Sequence, residues 1–226
     1  MRFYLPVVML LTAFLTTAAT PAPTPPFRLP FAVPAGPDTW LVGQMYGNTT
    51  GAYFQRAALY RLGQGIHFGI DFNAPCGTTI VAIGDGVVHA VDGPYGSAPH
   101  NLVIDHPNGY SSLYGHLLEA PKLKPGQNVK AGEPVTLSGD MYGTCRSAPH
   151  LHLEVRDLTH LRAYNPVPLI DADWDALLLY GGGGNSFERN LDDPDQWQSI
   201  FDQPDIQFGG RLLNDFTNPW PKDTRR

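Results

Sequence analysis

The sequence predicts a mainly β chain: a small antiparallel sheet sandwich or open barrel built of short hairpins. Three observations predict it. The 226 residues include 24 Gly and 22 Pro, a turn-rich allotment that suits many short strands better than long helices. Apolar and polar residues alternate with period two in several short runs, most clearly at residues 66–72 and 150–155. Between residues 65 and 157 there is no convincing helical period, only about seven short strands set apart by tight turns. A hydrophobic content of 42% suits one globular domain with additions and a real core.

Residues 1–19 read as a secretory signal. Arg2 supplies a short positive start, residues 3–15 an apolar run, and Thr17-Ala18-Ala19 a small-residue cleavage site. An uncleaved anchor is the alternative, but the run is short for a membrane span and contains Pro6. After removal of the signal, no stable membrane insertion is expected, and the location read is secreted or cell-envelope. No Cys precedes Cys76, which excludes a lipid-modified N-terminal Cys. The whole chain carries a charge of −6, and loss of Arg2 leaves 14 basic against 21 acidic residues, a charge of −7. That balance excludes a polybasic clamp, and the scattered basic residues give no nucleic-acid footprint. Residues 20–38 are Pro-rich and read as an extended linker. A domain at 39–170 with its core at 63–157 follows, then a C-terminal extension at 171–226 of unassigned role.

Residues 40–60 hold apolar and aromatic side chains without a clean period, which reads as a strand and an irregular approach over the domain. In residues 66–72, Ile66, Phe68, Ile70 and Phe72 alternate with His67, Gly69 and Asp71. On a strand His67 and Asp71 share a face, with Gly69 between them leaving room. Residues 79–83 and 87–91 flank Gly84-Asp85-Gly86, a hairpin signal. His89 in the second of these strands is read as solvent-facing. Residues 101–106, the turn Pro107-Asn108-Gly109 and residues 110–117 form a second hairpin, with Ser112, Tyr114 and His116 on one face. His100 and His106 lie near strand ends and are read as structural. Residues 123–138 are punctuated by Gly and Pro and suit an exposed sheet edge.

The strand at 148–156 organises the rest. His150, His152 and Glu154 point one way, and Leu151, Leu153 and Val155 the other. Neutral imidazole is the commonest protein metal ligand. A His-x-His pair is by itself equally compatible with surface decoration or a satisfied core pair. His67, Asp71, His116, His150 and His152 on short strands of one sheet, however, suit a hydrolytic zinc site: three ligands, an open position, and groups to move protons.

At these residues the chain resembles the lysostaphin/LytM-type zinc metallopeptidases, which are endopeptidases of peptidoglycan. The resemblance rests on His67-Phe-Gly-Ile-Asp71, Tyr114-Gly-His116-Leu117 and His150-Leu-His152-Leu-Glu154, and covers about residues 63–157. It implies a lysostaphin-type, duplicated-hybrid-motif-like fold, with one zinc per chain held by His67, Asp71 and His152. His116 and His150 would be the catalytic pair, handling the proton of the attacking water and steadying the oxyanion. Glu154 would either orient a neighbouring histidine or be plainly structural. Two Cys in an exported chain favour a disulfide between Cys76 and Cys145, each within a few residues of a ligand-bearing segment. Buried free thiols and a Cys ligand are the alternatives. The function read is a secreted zinc endopeptidase cutting peptide cross-links or stem peptides of peptidoglycan. Its alternatives are a catalytically silent groove-binding module of the same fold and an exported protease acting on proteins. Oligomeric state and the bond cut are not legible. In the C-terminal extension, residues 169–180 read as a short helix or strand, and the run Gly181–Gly184 and the Trp220-Pro221 end follow.

Overall fold

The computed structural model describes residues 24–180, 192–193 and 198–215. The signal, residues 20–23, the glycine run and the Trp220-Pro221 end lie outside the described residues. Strands β1 (Phe27–Arg28) and β2 (Leu41–Gln44) precede the short helix α1 (Thr50–Phe54). Then come β3 (Ile70–Asn73), β4 (Thr79–Val81), β5 (Gly86–Val91), β6 (Leu102–Asp105) and β7 (Tyr110–Gly115). After β8 (Asn128–Val129), β9 (Pro134–Leu137) and β10 (His150–Asp157), the chain forms β11 (Arg162–Tyr164), β12 (Ile170–Asp171), helix α2 (Trp174–Tyr180) and β13 (Ile206–Gln207). The chain is mainly β, as the turn-rich composition predicts.

Nine strands form one sheet, whose main order is β13-β11-β10-β7-β6-β5-β8. Strand β10 is its centre. One edge pairs with β7 from His152 to Asp157. The other pairs first with β3, placing His152 opposite Asp71, and then with β11. Leu151, Leu153 and Val155 are fully buried in a core that also takes Ile70, Phe72, Ile80, Leu117 and Val135. That core therefore spans the long sheet and the small antiparallel pair β4–β9.

Two expectations need correction here. The turn at Gly84-Asp85-Gly86 exists, but the strands beside it do not pair with each other. Strand β4 pairs with β9, while β5 pairs with β6 and β8. Asp85 instead accepts hydrogen bonds from the Ala131 backbone and Lys130 Nζ. Nor do His116 and Tyr114 share a face. Tyr114 is fully buried, and its hydroxyl accepts from the Ile83 backbone N–H. His116 lies just past the end of β7 with φ of 58°, which breaks the strand alternation and turns the ring the other way.

The segments flanking the core are docked. Within the expected linker, Phe27 packs against His106 and Tyr110, and Phe31 stacks on Trp40 with ring centres 4.5 Å apart. Residues 40–60 give strand β2 as expected and, in addition, helix α1, whose N-terminus Thr49 caps by accepting from the Ala52 N–H. Helix α2 is anchored by Trp174, whose indole N–H donates to the Val167 carbonyl. The C-terminal segment returns as β13 on the outer edge of β11. No helix among the described residues is long and apolar enough to cross a membrane.

Candidate metal centre

Register brings His67, Asp71 and His152 together. His152 sits opposite Asp71 on the β10–β3 pair, and His67 enters through a short bridge to Gly47. His152 Nδ1 lies 2.7 Å from Asp71 Oδ1. His67 Nε2 lies 3.3 Å from both Asp71 Oδ1 and His152 Nδ1. Donors on a tetrahedral zinc with bonds of about 2.0–2.1 Å stand about 3.3 Å apart, which two of the three separations match, while the third is shorter.

The outward nitrogens are committed elsewhere. His67 Nδ1–H donates to the Met45 carbonyl at 2.8 Å, which leaves Nε2 as the lone-pair nitrogen facing Asp71. His152 Nε2 lies 3.2 Å from Glu154 Oε1, so with Nε2–H donated there Nδ1 faces the cluster. Such partners fix ring orientation and ligand basicity. Room is also arranged. A Cβ on Gly69 would come within 2.6 Å of the His152 ring and 2.7 Å of the Leu153 carbonyl, so only glycine fits between His67 and Asp71.

Charge is balanced inside the cluster. Burial pushes the Asp71 carboxyl up, but the His67 and His152 imidazoles overcome it and hold it well below the usual carboxylate range. Burial pushes His152 down, yet its bonds to Asp71 and Glu154 raise it to about 9. Glu154 is completely buried. Its desolvation is outweighed by Arg156 and His152, which keep it below its ordinary value. Arg156 reaches Glu154 through Nε at 2.7 Å and Nη2 at 2.9 Å.

His116 and His150 lie beside this set, their ring centres 4.8 Å apart, with His116 5.7 Å from His152. His116 Nδ1–H donates to the Ala98 carbonyl and His150 Nδ1–H to the Ala148 carbonyl. Each ring therefore keeps Nε2 as its lone-pair nitrogen. Burial first, and then the charge on His152, push His116 down to about 4, so its ring is neutral at neutral pH. All five histidine and aspartate positions singled out in the sequence are thus gathered at one place. Cys76 and Cys145 are joined as a disulfide, with Cα atoms 5.7 Å apart, between the loop after β3 and the loop before β10. His100 bonds Asp92, and His106 is buried between the Asp85 carbonyl and Ser112 Oγ.

Several contributors escaped the sequence reading. The loop at residues 92–100 supplies the Ala98 carbonyl, and its Ser97 carbonyl accepts the His116 backbone N–H. Asp140 gathers backbone N–H groups of Tyr142, Thr144, Arg146 and Ser147 and so shapes the loop carrying Cys145. An Asp heading a run of Gly, Thr and Ser was a legible turn signal for it. Phe68 packs edge-on against His152, Phe208 from the C-terminal segment packs against Phe68, and the Arg156 guanidinium stacks 4.5 Å from the Phe208 ring. Contacts that far apart in sequence leave no local pattern.

His67, Asp71 and His152 together make a set that could hold a metal ion. Residues 65–166 match the model of Peptidase family M23. An uncharacterized metalloprotease of Haemophilus influenzae is 37% identical over 101 residues, covering 45% of this chain and 20% of that protein. The peptidoglycan DD-endopeptidase ShyC of Vibrio cholerae is 42% identical over 90 residues, covering 39% of this chain and 19% of its own length. Among solved structures, the catalytic domain of lysostaphin from Staphylococcus simulans is 28% identical. It covers 57% of this chain and 90% of that chain, with a TM-score of 0.45. The chain spans about a fifth of the length of the curated relatives it matches.

Proposed function

We propose that the chain is a zinc endopeptidase that hydrolyses peptide bonds in the cross-links or stem peptides of bacterial peptidoglycan. The observation that carries the reading is the convergence of His67 Nε2, Asp71 Oδ1 and His152 Nδ1 on one point, beside two further imidazoles that keep Nε2 as acceptor. His67, Asp71 and His152 would hold one zinc ion. That ion, when bound, supplies Lewis acidity: it lowers the pKa of water and polarises a carbonyl oxygen.

The remaining steps belong to the chain. A neutral His116 accepts the proton of the attacking water through Nε2, and the Ala98 carbonyl steadies the imidazolium through Nδ1–H. Protonated, it or His150 donates to the departing amine and to the oxygen that gains negative charge. Glu154 holds the His152 ring in place, and Arg156 neutralises Glu154 so that the buried carboxylate is tolerated. The wall of Tyr60, Phe68 and Phe208 limits water beside the cluster. The substrate class is supported by the names of the relatives. Export through a signal at residues 1–19 agrees with a wall substrate, and the Cys76–Cys145 bridge would persist outside the cytoplasm.

Incubation of the chain with purified sacculi and, separately, with casein tests this. Chelator-sensitive release of wall peptides with casein left intact is the expected result. Cleavage of casein with sacculi untouched would replace the wall substrate by protein. No hydrolysis of either by zinc-loaded protein would overturn the reading.

A further inference from the structure

We propose that His89, Asp105 and His160 form a second divalent-cation site, distinct from the His67–Asp71–His152 centre and suited to zinc. Register places Asp105 on the same sheet face as Glu154 and Arg156, further along, and close contacts bring His89 and His160 to it. Arg156 is opposite Ser111, and Ser111 is opposite Asp105. His89 is the residue at which β5 slips register against β6, between Val88 and Ala90. Such a bulge re-aims a side chain. His160 occupies the turn between β10 and β11 with φ of 59°.

The donor set then has the right chemistry and spacing. His89 Nδ1 lies 2.9 Å from Asp105 Oδ2, His160 Nε2 lies 3.7 Å from Asp105 Oδ1, and one donor atom from each residue falls within 4.8 Å of the others. These separations bracket the spacing of about 3.3 Å between donors on a tetrahedral zinc. Two imidazoles and a carboxylate are ordinary ligands for that ion.

An independent observation asks for a ligand. His160 is only 8% exposed, and neither of its ring nitrogens has a hydrogen-bond partner. Asp105 Oδ1 is likewise buried without one. Buried polar atoms are nearly always satisfied, and a pair of orphans facing each other at 3.7 Å is the arrangement a shared cation completes. Tyr95 supports the same reading. Its hydroxyl is 2.7 Å from His89 Nε2, and its ring packs 4.8 Å from that of His160. With Nε2–H donated to Tyr95, His89 turns the lone pair of Nδ1 to the cation. Arg156, whose charge acts on His160, is already paired with Glu154.

The site bears on His116 through one loop. Tyr95 also gives its backbone carbonyl to Arg156, and the same loop gives the carbonyls of Ser97 and Ala98 to His116. A cation held by His89, Asp105 and His160 would thus pin the loop that orients His116.

The test is zinc stoichiometry of the full chain after loading and gel filtration, read by elemental analysis. Wild type is expected to retain two zinc ions, and His89→Gln, His160→Asn and His152→Ala one each. His89 is exposed, so His89→Gln remains informative if the buried His160 variant does not fold. A single ion in wild type, retained in His89→Gln and lost in His152→Ala, would overturn the proposal. So would two ions in both wild type and His89→Gln. A single ion lost in His89→Gln but kept in His152→Ala would support this site while refuting the first.

Discussion

Replacing Glu154 by Gln separates the charge of this side chain from its shape. Glu154 makes three close contacts, at 2.7 and 2.9 Å to Arg156 and 3.2 Å to His152. All three partners are donors. Gln keeps one oxygen but puts an NH2 group opposite an N–H, so one donor loses its acceptor and Arg156 loses its counter-charge. Breaking a buried pair in this way costs about 3–5 kcal/mol. Arg156 keeps its bond to the Tyr95 carbonyl, which places the expectation near the lower end, about 3 kcal/mol. The His152 ring also loses the carboxylate that orients it, so zinc affinity falls by about 10–100-fold. The sign with pH follows from the lowered pKa of Glu154. Its stabilisation is fully present above its ordinary value of 4.5 and is lost as pH falls through the lower folded value, so the penalty of Glu154→Gln shrinks in acid. Urea unfolding of the metal-free chain at neutral and acid pH, with zinc affinity from chelator competition, measures both effects. A loss below about 1 kcal/mol at neutral pH with unchanged zinc affinity would refute the reasoning.

Three further outcomes are expected. His116→Ala and His150→Ala should each lower kcat on sacculi by about 10²–10⁴-fold while zinc content stays at the wild-type level; a parallel loss of zinc would show that they act as ligands instead. Because His152 is raised to about 9 without metal, zinc must displace a proton below that pH, so apparent affinity should weaken about 100-fold from pH 8 to pH 6, measured by competition with a chelator of known pH dependence. The bridge between Cys76 and Cys145 closes a loop of sequence separation 69, for which chain entropy gives about 4 kcal/mol; the Cys76→Ser, Cys145→Ser double variant should unfold earlier in urea by that amount.

The sequence carried most of what is local. The alternation at residues 150–155 reads directly as a strand with a histidine face, and the fully buried Leu151, Leu153 and Val155 on its other face follow from the same period. Gly69 was legible as room between His67 and Asp71 because both neighbours carry candidate ligands. Partner choice was not legible. Strands β4 and β5 flank a good turn yet join different sheets, since a turn signal does not state which strand edge will be satisfied by which. The direction of His116 depends on a single left-handed residue, which strand alternation cannot anticipate. The Pro-rich stretch before residue 38 hid two aromatic anchors, Phe27 and Phe31, because its composition reads as extended chain whatever its aromatics touch. Phe208 and Gln203 reach the domain from the far end of the chain, Gln203 by accepting the Asn48 backbone N–H, and no local period marks such contacts.

The most direct test of the account is mass spectrometry of products released from purified sacculi in water enriched in 18O, comparing wild type with His152→Ala. The account predicts new peptide amines, and new carboxyl ends that each carry one 18O atom, with wild type only and abolished by a chelator. Zinc-loaded, folded wild-type protein that releases no new ends, or ends that form equally with His152→Ala, would contradict it.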